Sequence, residues 1–172
     1  MKALTNSDLR DLQQKVEALS DKAEPRATLT VLLRWIESHQ EKMMSLPFSD
    51  YGLDKFSQFR LEDYPVSKSS LRGRELEHFR RTVSKLSLKD LAFVAMFIRD
   101  SLEALLMPEV DGECPRCNGY SIAVFKNKCD GKLLLLCKTC GFGSYFDAAQ
   151  DTGGKREYEF ATERELRKYG LV

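Results

Sequence analysis

The chain has 172 residues, of which 42% are hydrophobic and 31% charged, and its net charge is +1. That is enough for one ordinary domain, or one domain with a small module, and the charge balance excludes a global field that would draw in nucleic acid or an anionic membrane. No apolar run approaches the roughly 20 residues of a membrane helix. The N-terminal stretch from Met1 to Asp8 turns polar too early for a signal-peptide core, so the expected location is cytoplasmic.

In chain order, residues 6–20 read as a helix. Leu9, Leu12, Val16 and Leu19 recur at gaps of three and four, one apolar stripe. Asn6 or Ser7 is placed to cap it. Pro25 suits the first position of the next helix, where its missing N–H is not needed. That helix is predicted over 26–45, with Leu29, Leu32, Leu33 and Ile36 on its core face and Trp35 beside them. Pro47 marks its end. Met43 and Met44 are expected to fill core, although paired methionines also make adaptable binding surfaces.

Residues 47–67 show no clean period. They carry Phe48, Tyr51, Phe56, Phe59 and Tyr64 together with the acids Asp50, Asp54, Glu62 and Asp63. So long and aromatic a connection either packs over the helices or forms a recognition surface. Phe48, Tyr51, Asp54, Phe56, Phe59 and Tyr64 are therefore the candidate partner-binding residues, since aromatics anchor interfaces.

A third helix is predicted over 69–86. Leu76, Phe79, Val83 and Leu86 form its apolar stripe, and Arg74, His78, Arg81 and Lys85 run down the opposite face. The basic stripe reads either as a phosphate-binding ridge, helped by Arg72 and Arg80, or as an ordinary solvated face. A fourth helix over 88–106 follows from Leu88, Leu91, Val94, Ala95, Ile98, Leu102 and Leu105. Ser87 and Asp90 resemble a capping box, and Pro108 stops the helix. Residues 107–113 read as a linker.

Five cysteines follow, four of them in two Cys-x-x-Cys pairs: Cys114-Pro115-Arg116-Cys117 and Cys137-Lys138-Thr139-Cys140, with 19 residues between the pairs. That spacing fits a zinc template. Four thiolates close the tetrahedral shell zinc prefers, and the two-residue gap lets one tight turn aim both sulfurs at one ion. Glycine relieves the crowding after each pair, as in Cys117-Asn118-Gly119 and Cys140-Gly141. A redox dithiol and four-thiolate iron are the other chemistries such residues allow. Between the pairs, 120–125 and 132–136 read as two strands joined at Asp130-Gly131, a two-residue hairpin signal. Gly143 to Phe146 offers a third strand. Cys129 stands apart as a free thiol. His39 and His78 have no vacancy to fill in a four-cysteine site.

The segments Cys114-Pro115-Arg116-Cys117-Asn118-Gly119 and Cys137-Lys138-Thr139-Cys140-Gly141 resemble the knuckles of the zinc-ribbon group. The second matches the C-x-x-C-G pattern in full; the first has Asn118 where glycine often follows directly. The resemblance covers 114–146 and implies a fold and a metal, but no single activity. In the tail, 156–160 alternates like an edge strand. Thr162 and Glu165 match a capping box, and Gly170 fits the end of a short helix.

The expected architecture is α+β: a helical domain of about four helices over 1–110, then a zinc-ribbon module with a small antiparallel sheet and a short C-terminal helix over 111–172. The expected function is non-catalytic. Zinc bound by Cys114, Cys117, Cys137 and Cys140 is structural, since catalytic zinc keeps an open position, and the chain works through a protein partner as an adaptor or as an inhibitor of the immunity-protein type. The alternative is a nucleic-acid-binding regulator of transcription or translation. Residues 114–172 carry 10 basic against 7 acidic side chains, and Arg116, Lys126, Lys128, Lys132 and Lys138 would meet the backbone. Tyr120, Phe125, Phe142, Tyr145 and Phe146 would stack on its bases.

Overall fold

In the computed structural model, residues 3–20, 24–151 and 157–172 are described. The chain divides into two compact units, each with its own buried core: one of residues up to Glu62 with Leu71–Leu105, the other of Asp63–Ser70 with Leu106–Val172. Helix and antiparallel sheet are both present. Among the described residues, no helix is long and apolar enough to cross a membrane.

The first unit is helical. Helix α1 (Asn6–Glu17) buries Leu9, Leu12 and Val16. Its cap lies one residue before the predicted pair. Thr5 sits in extended backbone and its side chain accepts the Asp8 N–H at 3.3 Å, while the Asp8 carboxylate takes the Thr5 N–H at 2.7 Å. Both ends of the first turn are thereby satisfied. Helix α2 (Pro25–Ser38) starts on its proline and buries Leu29, Leu32, Leu33, Trp35 and Ile36. The predicted continuation to residue 45 is broken at His39, and a short helix α3 (Gln40–Met43) follows. The break has a local cause. The His39 ring lies 2.8 Å from the Trp35 carbonyl oxygen through Nδ1 and 3.1 Å from Asp8 through Nε2.

Two short 3₁₀ turns, Leu53–Gln58 and Leu61–Asp63, follow. Helix α4 (Arg74–Val83) buries Leu76, Phe79 and Val83 and begins five residues later than predicted. Gly73 precedes it at φ +55°, a backbone conformation costly for a residue with a Cβ. A 3₁₀ turn at Leu88–Asp90 leads into helix α5 (Leu91–Leu106). Ser87 and Asp90 do not form the expected reciprocal box. Ser87 accepts from Lys89 and Asp90 accepts from Phe93, so each caps its own turn. Phe79 and Phe97 stack with planes 9° apart, joining α4 to α5.

The second unit is a six-stranded antiparallel sheet with one helix. Its strands are β1 (Glu109–Val110), β2 (Ile122–Asn127), β3 (Leu133–Cys137), β4 (Gly143–Tyr145), β5 (Ala148–Asp151) and β6 (Tyr158–Phe160), and helix α6 (Glu163–Lys168) closes it. The order is β1-β2-β3-β4-β5, and β6 also pairs with β2. Strands β1 and β6 share one edge of β2: β1 takes Ile122 and Ala123, and β6 takes Phe125 to Asn127. The predicted linker thus supplies a strand. Arg156, in the predicted strand 156–160, lies outside the described residues. The β2–β3 connection is longer than the predicted two-residue turn. It is closed by the Asn127 N–H donating to Lys132 O and the Gly131 N–H donating to Asn127 O, with Gly131 alone at positive φ.

One sheet face buries Val124 and Leu133 against Ala161 and Leu166 of the α6 region. The Thr162–Glu165 capping box forms as the sequence predicts, and Gly170 is left-handed. On the other face Phe125 packs on Phe160, with Tyr64 edge-on to Phe160. Together with a bridge between Ser69 and Pro108, this contact brings the segment 63–70 into the sheet unit.

Candidate metal centre

The two cysteine turns are built alike. In the first, the Asn118 N–H donates to Cys114 O at 2.8 Å and the Cys114 N–H donates to Gly119 O at 2.9 Å. In the second, the Gly141 N–H donates to Cys137 O at 2.9 Å and the Cys137 N–H donates to Phe142 O at 2.8 Å. Asn118 and Gly141, which follow the second cysteine of each pair, stand at φ 58° and 70°. The departure from glycine at 118 therefore leaves the turn intact, because asparagine tolerates the left-handed region better than most residues. Gly119 is required for a different reason. A Cβ there would come within 3.0 Å of Thr139 Oγ1 and 3.3 Å of Cys117 Sγ, so it marks the point where one turn closes on the other. Sequence spacing gave no sign that these two turns touch there.

The turns bring Cys114, Cys117, Cys137 and Cys140 together, with all four sulfurs within 4.8 Å of one another. Cys114 and Cys140 sulfurs are 3.7 Å apart, and those of Cys117 and Cys137 are 3.6 Å apart. A tetrahedral ion with metal–sulfur bonds of 2.3 Å needs edges of about 3.8 Å, so the donors fit such an ion. Cys114 and Cys137 are buried and Cys117 is exposed. Proton sharing splits the acidity of the set. The Cys140 amide, then that of Thr139, draws the Cys137 thiol down to about 6 against the effect of burial. At Cys117 the Gly119 amide pulls downward, but hydrogen bonding with the Cys140, Cys137 and Cys114 sulfurs carries it up to about 12. Four sulfurs this close cannot all ionise unless a cation holds them together. Cys129 stands apart, exposed, at the β2–β3 turn.

The other sequence-predicted residues scatter. Phe48 and Phe56 are 1% and 7% exposed; they are core residues of the helical unit, withdrawn from any surface by packing. Tyr51 receives the Arg99 guanidinium over its ring at 5.3 Å. Asp54 and Phe59 are half-buried in the first unit, and Tyr64 is half-buried in the second. The six therefore form no single exposed patch. Of the basic candidates, Lys126 pairs with Glu159 and Glu165, and Lys138 with Glu109 at 2.9 Å. Lys132 lies over the Tyr145 ring, and Arg116 and Lys128 are exposed. Phe125 packs on Tyr158 and Phe160, and Phe146 on Tyr169. Tyr145 donates to Asp130, whereas Tyr120 is 74% exposed. His39 is held in α2, and His78 is exposed on α4.

Compared with family models, with curated proteins and with solved structures, the chain matches none.

Proposed function

We propose that the chain is a non-catalytic zinc protein in which Cys114, Cys117, Cys137 and Cys140 hold a structural Zn²⁺ at the base of a zinc ribbon, and that it acts through a protein partner as an adaptor or inhibitor. The observation that carries the zinc reading is the near-tetrahedral spacing of four sulfurs from two matching turns. With four thiolates the shell is full, so the ion organises the sheet and does not meet a reactant. Support for a protein partner comes from Met44 and Leu46. They are 63% and 71% exposed, two residues apart, on a unit whose other large side chains there are buried. The nucleic-acid reading of the sheet has less behind it, since Lys126 and Lys138 are neutralised by glutamates and Phe125 and Phe146 are packed.

The test has two arms. Metal analysis of the purified chain is expected to give one zinc per chain, lost in Cys117→Ser and in Cys140→Ser. Retention of a full equivalent in either variant refutes the four-cysteine site. A partner is expected to co-purify one-to-one with the native chain and not with Met44→Glu/Leu46→Glu. A chain that carries nucleic acid alone overturns the protein-partner reading.

A further inference from the structure

The basic stripe of α4 is left over from this reading, and the structure gives it a shape. From His78 to Lys89 the sequence holds Arg80, Arg81, Lys85 and Lys89 and no acid, in a chain whose net charge is only +1. His78, Arg81 and Lys85 are exposed, at helical spacings that put them on one face. That face has a concavity on each side. One, of about 400 Å³, is lined by His78, Arg81, Thr82, Lys85 and Phe93. The other, of about 490 Å³, is lined by Arg10, Gln13, Gln14, Arg80 and Arg81 with Ser84, and Glu17 is its one acid among the described residues. Arg81 is common to both.

Three observations separate this face from an ordinary solvated one. First, among the described residues no carboxylate pairs with Arg10, Arg81 or Lys85, whereas Lys126 and Lys138 of the sheet unit are paired. The field here is uncancelled. Second, Phe93 is 42% exposed at the rim. A large apolar ring beside a row of cations is a stacking platform rather than core. Third, Gln13 is committed to α4 itself. Its Nε2 donates to the carbonyl oxygens of Val83 and Leu86, both at 3.1 Å. This neutralises the helix's negative end, which otherwise opposes an anion.

We infer that this face of the helical unit binds single-stranded nucleic acid, with Arg81, Lys85 and Arg10 on successive phosphates and a base stacked on Phe93. The two concavities are open and continuous through Arg81, which suits a chain threading past rather than a small anion enclosed. An acidic peptide would use the same cations but would have no need of the exposed ring.

The test is fluorescence anisotropy on the full zinc-loaded chain with labelled mixed-sequence 20-mers of single-stranded RNA and DNA. Binding is expected at low salt and is expected to weaken steeply as salt rises. Arg81→Glu/Lys85→Glu is expected to lose at least tenfold in affinity and to flatten the salt slope by about 1.4, since each single-strand phosphate contact contributes about 0.7. Phe93→Ala is expected to lose about tenfold with the slope unchanged, because stacking carries no charge. Arg116→Glu/Lys128→Glu, on the sheet unit, is expected to bind as the native chain does. Should a variant fail to fold, photo-crosslinking of the native complex decides instead, with adducts expected on the peptide holding Phe93. Undetectable binding at 25 mM salt, unchanged binding by the double α4 variant, or competition by polyglutamate as strong as by single strand overturns the inference.

Discussion

The two units reach stability by different routes. The helical unit hides Trp35, Leu29, Leu32, Ile36, Leu53, Ile98 and Leu102 completely, and needs no help beyond apolar burial. The sheet unit's buried cluster is Val124, Leu133, Ala161 and Leu166, small side chains for a six-stranded sheet. Units with so little core generally require a metal or disulfides, and this one has four cysteines at its base. The contrast explains why one chain carries a long apolar stripe in α5 and a cysteine framework after it. Each solves the same shortage of buried surface at a different scale.

The sharpest way to break the comparison is to remove the metal. Structural zinc supplies about 10–16 kcal/mol in small metal-dependent modules, more than this sheet can replace. A strong chelator is expected to unfold the sheet unit and leave the helices, read as loss of amide protection in β2 and β3 with α2 and α5 still protected. Equal loss in both units would show that they are one cooperative body. Acid should act in the same order. The thiolates must be deprotonated to hold the ion, so zinc is expected to leave as pH falls.

A smaller effect strikes the other side. Trp35 is fully buried and its Nε1 donates to Asp8 O at 2.9 Å. Trp35→Ala is expected to cost the helical unit about 3–5 kcal/mol, seen as a lower denaturant midpoint for the helical signal with zinc content unchanged. Zinc loss in this variant would contradict the separation of the two cores.

The smallest effect is at Asp8. Burial pushes its carboxyl up, but hydrogen bonds from Lys42 and Thr5 and the Lys42 charge hold it well below the usual carboxylate range. A depressed carboxylate contributes stability above its unfolded value of about 4 and loses it as pH falls. Asp8→Asn is therefore expected to lower helical stability by about 1 kcal/mol at neutral pH, the scale of a lost cap, and to make little difference near pH 3. A pH-independent deficit would assign the effect to packing instead.

Much of this was legible where chemistry is local. The Cys-x-x-Cys spacing, the α5 stripe and the Thr162 box depend on neighbours a few residues away, and all three were readable. What depends on distant contacts was not. The cap of α1 falls on Thr5 because Asp8 is already held by His39 and Lys42 from the next helices. The break at His39 comes from the same cluster. Phe48 and Phe56 look like a surface in sequence because their segment has no period, yet 3₁₀ turns have no long stripe to show. Glu109 and Val110 read as a linker because two residues carry no strand pattern; only β2 makes them a strand.

The shared edge of β2 also fixes an order of events during synthesis. Its outer edge at Phe125 to Asn127 waits for Tyr158 to Phe160, over 30 residues later in the chain. Until those residues emerge, a strand with Phe125 at its margin presents unpaired amides and carbonyls to whatever is near. The cysteine turns and the β2–β3 hairpin are complete well before that. An early-loaded ion would hold the hairpin in register through this interval, so the metal would guard the nascent sheet against mispairing as well as stabilise the finished one.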